Sequence, residues 1–301
     1  MLGRIVIWFR ALRAPFFTAS AMSVVVGSAA AWHGGADVRA VEFVLALAGV
    51  VALHGGGNLA NDYYDHLSGN DAANLHYGPY SGGSRMIQEG IIPAGRILAA
   101  SVISLAIGVS CAAALFVMVG GWWIPALAAA GFVAAVFYVE SHVRLGARGV
   151  GEAIVGFVFG PCVTMGAYGV QAGGVTREAF WCGAPVGLLV ALILLVNEVP
   201  DFDADKAVAK NTLVVRLGRT KGVAVAAGVL ALTYIITAGA VAAGVMPGGA
   251  MWTFATMPVG AYSMCVLWRN RYSPRQLRAA SATTILTHLL FTIILSAVYL
   301  A

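Results

Sequence analysis

The chain has 301 residues, 60% of them apolar and only 10% charged, with a formal charge of +5 and a mean hydropathy of +0.84. A soluble domain carries about 25% charged residues, so this chain has too few to cover a water-facing surface. That excludes a soluble globular enzyme, a disordered chain and a nucleic-acid binder; in a membrane chain, basic residues mark the cytoplasmic loops instead.

A membrane span needs about 20 mostly apolar residues, and nine stretches qualify, predicting an all-α polytopic membrane protein. The first, 15–32, follows Arg4, Arg10 and Arg13 and reads as a span rather than a cleaved leader. The second, 41–59, runs into a long polar link before the third, 97–119. Only Gly120 and Gly121 separate the third from the fourth, 122–138, so these two are expected to be antiparallel neighbours. The fifth and sixth are 150–170 and 180–197. The seventh, 223–245, turns at Met246, Pro247 and Gly248 into the eighth, 249–268, and the ninth is 279–300. Glycine is frequent within the spans, as expected where helices pack backbone to backbone. Cys111, Cys162, Cys182 and Cys265 are scattered in apolar runs without metal or redox spacing and read as small core residues.

With the links assigned to alternating sides, 16 of the 18 basic residues fall on one side and only Arg39 and Arg177 on the other. The positive-inside rule then predicts a cytoplasmic N-terminus and an external C-terminus in a bacterial-type cytoplasmic membrane. Of the 13 acidic residues, ten share the cytoplasmic side, which that rule does not require. Eight of these ten lie in two clusters. One holds Asp62, Asp65 and Asp71, with Glu89 further along the link; the other holds Glu198, Asp201, Asp203 and Asp205.

Each cluster begins at the end of an apolar stretch. Asn58, Asn61, Asp62 and Asp65 recur at i, i+3, i+4 and i+7, and Asn197, Asp201 and Asp205 at i, i+4 and i+8, so each set shares a helical face. Like charges at this spacing repel, and carboxylates at a membrane edge are costly to desolvate. A divalent cation offsets both. Carboxylate and amide oxygens suit Mg²⁺, which usually binds one or two carboxylates and completes its shell with water and phosphate. Two such faces suggest Mg²⁺ ions holding a polyphosphate between them.

Three further segments share this side. Ser81-Gly82-Gly83-Ser84-Arg85 offers backbone N–H groups and a guanidinium to an anion. Lys206 and Lys210 follow the second cluster and are expected to neutralise a diphosphate leaving group. Tyr138, Glu140, His142, Arg144 and Arg148 form a third polar segment. His142 and His66 read as loop residues outside the core site.

These residues resemble the UbiA superfamily of intramembrane prenyltransferases. The specific matches are Asn61-Asp62-Tyr63-Tyr64-Asp65 with Asp71, and Asn197-Glu198-Val199-Pro200-Asp201-Phe202-Asp203-Ala204-Asp205-Lys206 leading to Lys210-Asn211-Thr212-Leu213. The resemblance covers essentially the whole chain, 1–301, as one domain. Ser81–Arg85, Gly149-Val150-Gly151-Glu152, Phe159-Gly160-Pro161 and Gln171 are similar to the 1,4-dihydroxy-2-naphthoate polyprenyltransferases in particular. Where those enzymes often carry a Lys-Tyr pair ahead of Arg148, this chain has Gly146 and Ala147; Arg144 is the candidate substitute.

The resemblance implies nine transmembrane helices around a central cavity, capped on the cytoplasmic side. It implies Mg²⁺-dependent transfer of a polyprenyl group from polyprenyl diphosphate to an aromatic acceptor such as dihydroxynaphthoate, with loss of CO₂, giving demethylmenaquinone. The implied metal ligands are Asn61, Asp65, Asp71, Asn197, Asp201 and Asp205. Ser84, Arg85, Lys206 and Lys210 would bind diphosphate, and Tyr64, Tyr138, Arg144 and Arg148 the acceptor. Asp65, Asp201, Arg85, Lys210 and Tyr138 would carry catalysis, while Tyr63, Tyr64, Tyr138 and Tyr168 shield an allylic cation. The isoprenoid tail would leave toward membrane lipid. Hydroxybenzoate, homogentisate, another naphthoquinone precursor or a glycerophosphate lipid remain open as acceptors. An ion transporter is a different class of function, but its carboxylates belong near the bilayer midplane. A CDP-alcohol phosphotransferase lacks support because its aspartate motif is absent.

Overall fold

Backbone polar groups within a bilayer find no water, so an apolar run must satisfy its hydrogen bonds internally. In the computed structural model, which describes residues 2–140 and 142–301, each of the nine apolar stretches is accordingly helical. Helix α1 (Leu2–Ala11) leads through a 3-10 turn at Ala14–Phe16 into α2 (Phe17–His33). Helix α3 (Ala40–Leu67) is followed by the single-turn α4 (Asn70–Ala73), a loop, and then α5 (Ala94–Val119) and α6 (Trp123–Phe137). Helices α7 (Gly151–Phe157) and α8 (Val163–Ala172) form one rod through a π-helical turn at Val158–Cys162, where Pro161 lacks the backbone donor. Helix α9 (Arg177–Ala207), the short α10 (Leu213–Leu217), α11 (Arg219–Ala242), α12 (Met257–Asn270) with a 3-10 lead-in at Gly248–Thr256, and α13 (Arg278–Leu300) complete the chain.

Among the described residues, eight helical segments are long and apolar enough to cross a membrane, and α6, at 15 residues, is a shorter apolar helix. The nine expected spans are therefore eight full-length ones and a short one. Gly120 and Gly121, at φ 78° and 90°, make the tight turn between α5 and α6.

The two longest helices outrun the bilayer furthest. At 1.5 Å per residue, the 28 residues of α3 and 31 of α9 extend about 42 and 46 Å, against a hydrocarbon core of about 30 Å. Both polar clusters ride on helical overhangs, so the faces read from their spacing persist as rigid helix. α9 is the central element: Leu189, Leu192, Leu195 and Val196 are buried among Phe291, Leu295 and Tyr299 of α13 and Val223 and Ala226 of α11. It meets the π-helical rod almost backbone to backbone, since a Cβ on Gly187 would run into the Gly156 carbonyl. Dispersion at such close approach replaces the hydrophobic drive that lipid removes.

Candidate active site

A cavity of about 340 Å³ runs between α3, α5, α6, the π-helical rod and α9. Its deep wall is apolar, with Leu53, Leu115, Trp123, Leu127, Phe159 and Ile193. Its polar rim is built from the overhangs. Asn58, Asn61 and Asp65 of α3 face Asn197, Asp201 and Asp205 of α9. Asp62 leaves this face, because its carboxylate binds Arg13 and accepts the Ser84 backbone N–H at 3.3 Å.

One ammonium group joins the two acidic helix ends. Lys210 Nζ lies 3.0 Å from Asp65 Oδ2 and 3.8 Å from Asp205 Oδ1. Burial alone would lower this ammonium, but the charges of Asp65 and Asp205 lift it above the ordinary lysine range. The link after α3 folds over as a lid. Asn70 Nδ2 donates to Asp205 at 2.8 Å, Asn74 Nδ2 to Asp201 at 2.7 Å, and the Gly82 N–H to Asp201 at 3.2 Å. Gly82 and Gly83, both at φ 75°, permit this turn; a Cβ on Gly83 would meet Asp71 Oδ1 at 2.7 Å.

Of the residues singled out from sequence, the cavity wall collects Asn58, Asn61, Asp65, the Ser81–Gly83 turn, Tyr138, Asn197, Glu198, Asp201, Asp205 and Lys210. Tyr138, at the end of α6, turns its phenol to the cavity wall near Glu198. The others sit elsewhere. Asp71 is buried under the glycine turn, receives Gln88 Nε2 at 3.0 Å, and has its carboxyl pushed up to about 7 by burial and by the charges of Asp65 and Asp62. Arg85 turns from the cavity, donates to the Asp71 carbonyl and stacks over Tyr77 at 4.3 Å. Ser84 spends its backbone N–H on Asp62 and caps Met86 with its hydroxyl. Lys206 is exposed and lies 5.9 Å from the Phe202 ring. Tyr64 packs on Tyr63, outside the wall. Arg144 is half-buried outside the cavity, and Arg148 is exposed with Nε on the Val143 carbonyl at 2.6 Å. Tyr168 packs at the far end of α8 beside Gly34.

The structure also adds residues that sequence reasoning passed over. Arg13 lines the cavity, and the charge of Asp62 holds it protonated against the cost of burial. Counting it as a topology signal concealed this role; only the fold brings residue 13 to residue 62. Asn70 and Asn74 hold the lid on Asp205 and Asp201, and their place between two quoted motifs was the available signal. Glu198 and Glu152, quoted in the motifs but given no role there, also belong to the site: Glu198 reaches the wall with Glu152 behind it, and Glu152 Oε1 accepts the Leu213 N–H at 3.0 Å.

The donors fit a hard cation. The electron-pair donors of the rim are carboxylates and amides, and Asn197 Oδ1 is buried without a hydrogen-bond partner. Among the described residues, no three His, Cys, Asp or Glu side chains gather closely enough to hold an ion alone. This suits Mg²⁺, which takes one or two carboxylates and fills its shell with water and phosphate oxygens. A closed protein cage is not what this rim provides.

The UbiA prenyltransferase family pattern matches residues 20–295. The chain is 32% identical to the 1,4-dihydroxy-2-naphthoate octaprenyltransferase of Mycobacterium tuberculosis, over 71% of this chain and 70% of the relative. It is 29% identical to the protein of the same description from Escherichia coli, covering 70% of this chain and 68% of the other. Among solved structures, a UbiA homolog from Archaeoglobus fulgidus bound to GPP and Mg²⁺ superposes with a TM-score of 0.66 at 15% identity, covering 98% of this chain and all of that one. At that identity the likeness carries the fold.

Proposed function

The chain belongs to the UbiA prenyltransferase family and is a membrane prenyltransferase, and from this premise we propose that it transfers a polyprenyl group from polyprenyl diphosphate to a dihydroxynaphthoate-type aromatic acceptor. The observation that carries the reading is the convergence of Asp65 and Asp205 on Lys210, above an apolar cavity. A diphosphate is a small, dense anion with a long apolar tail; the rim and the deep wall match its two ends. The naphthoate relatives support the choice of acceptor class.

Asn61, Asp65, Asn197, Asp201 and Asp205 would hold Mg²⁺, with Asp71 close beneath. Bound there, Mg²⁺ would supply positive charge to the departing diphosphate. Lys210 and Arg13 add fixed cations at the same rim, where charge develops as the allylic C–O bond breaks. The electron pair of that bond leaves with the diphosphate. The apolar wall excludes water, so the allylic cation survives to bond a ring carbon of the acceptor, whose ring then regains aromaticity by losing the carboxylate as CO₂ or a ring proton. Tyr138 presents its hydroxyl beside this region and orients the acceptor or leaving group. The isoprenoid tail follows the apolar wall toward lipid. The distribution of 16 basic residues against 2 supports a cytoplasmic site, a cytoplasmic N-terminus and an external C-terminus, with 1–301 forming one domain.

The test is mass spectrometry of products after purified protein is incubated with Mg²⁺, prenyl diphosphates of several lengths, and a panel of aromatic acids. A prenylated, decarboxylated naphthoate product is expected, and none after EDTA. Prenylation of hydroxybenzoate or homogentisate alone would overturn the acceptor assignment.

A further inference from the structure

His54 lies on the cavity-facing side of α3, four residues before Asn58, seven before Asn61 and eleven before Asp65, and all four line the cavity. Its ring packs at a steep angle against two aromatic rings, with centroids 5.3 Å from Phe17 and 4.7 Å from Phe159. The π-helical turn at Val158–Cys162 carries Phe159 into this position; such turns recur at functional sites. His54 Nδ1 lies 3.2 Å from Ser20 Oγ. The Ser20 hydroxyl already donates its single proton to the Phe17 carbonyl at 3.0 Å. With that hydroxyl proton on the Phe17 carbonyl, the His54–Ser20 contact is filled by a proton on Nδ1. A neutral imidazole protonated on Nδ1 leaves Nε2 as a bare acceptor.

We propose that His54 Nε2 accepts a hydrogen bond from a ring hydroxyl of the aromatic acceptor, which makes His54 a specificity-determining residue. This rests on the prenyl-transfer reading above. An isoprenoid tail has no donor to satisfy a bare nitrogen, whereas a naphthol has one. Phe159, which lines the cavity beside His54, offers an aromatic ring on which an electron-rich arene can pack. Sites built to bond a substrate hydroxyl discriminate strongly against analogues without it.

The experiment compares kcat/KM for a dihydroxylated naphthoate and its two mono-methyl ethers, in the wild-type protein and in His54→Phe and His54→Gln. The wild type is expected to disfavour one ether by at least about tenfold. His54→Phe should raise KM for the dihydroxylated acceptor, leave KM for prenyl diphosphate within about twofold, and erase the discrimination between it and that ether. His54→Gln, whose Oε1 can occupy the Nε2 position, should restore part of it. The wild-type comparison stands even if the Phe variant does not fold. Equal use of both ethers by the wild type, equal discrimination in wild type and His54→Phe, or a change confined to the KM of prenyl diphosphate would overturn the proposal. A wild-type protein that prenylates no hydroxylated arene refutes the broader reading instead, so the two failures are distinct.

Discussion

Replacing Lys210 by Met removes the ammonium between the half-buried Asp65 and the buried Asp205 while keeping the length of the aliphatic stem. At an effective dielectric of about 20, its Coulomb attraction is about 5 kcal/mol to Asp65 and about 4 kcal/mol to Asp205, from separations of 3.0 and 3.8 Å. Desolvation cancels a large part of this, but breaking a buried pair leaves the carboxylates without a counter-charge. The expected net loss is about 3–5 kcal/mol. The side chains of Lys210, Asp65 and Asp205 are only 17%, 13% and 4% exposed, so solvent offers little screening. Thermal unfolding in detergent, followed by circular dichroism in EDTA and then in Mg²⁺, reads the effect. The Lys210→Met variant should melt well below wild type in EDTA and recover part of the gap in Mg²⁺, because a divalent cation can take over the vacated charge. Turnover should fall by about 10²-fold even at saturating Mg²⁺, since a fixed cation at the leaving group is gone. A variant as stable as wild type in EDTA, or one that Mg²⁺ stabilises no more than wild type, would refute the argument.

Asp201→Ala should lower turnover at least about 10²-fold while leaving the helical circular dichroism intact, and product should vanish when wild type is treated with EDTA. Arg13→Leu strands the buried Asp62 carboxylate, so unfolding should move to lower temperature, with a loss of about 3–5 kcal/mol; Arg13→Lys should recover part of it. Gly187→Leu forces the α9 backbone from the Gly156 carbonyl, and the variant should fail to elute as a monodisperse species from size exclusion. Because the folded Asp71 carboxyl is raised to about 7, the folded state holds its proton more tightly than the unfolded chain does. Metal-free stability should therefore fall as pH rises from about 4 through 7, and Asp71→Asn should flatten that dependence of the melting temperature.

Hydropathy determined the nine helical stretches, because bilayer thickness imposes a length on any apolar run and backbone hydrogen bonding imposes the helix. Spacing determined which side chains share a face: Asn61 with Asp65, and Asn197 with Asp201 and Asp205, all reach the cavity because both helices continue rigidly past the bilayer. A 3.6-residue period is local, so it is legible without knowing the fold. What crosses between segments was not legible. Asp62 sits in the same run as Asp65, yet it turns to a partner 49 residues away. Arg85 and Lys206 carry the same charge as Lys210, but the glycine turn and the end of α9 direct them elsewhere, and only Lys210 reaches both acidic ends. His54 lay unmarked within an apolar run until Ser20, Phe17 and Phe159 from two other helices closed around it. Charge type and periodicity belong to a segment; the direction of a long side chain and the partner that fixes its proton belong to packing, and only the tertiary structure decided them.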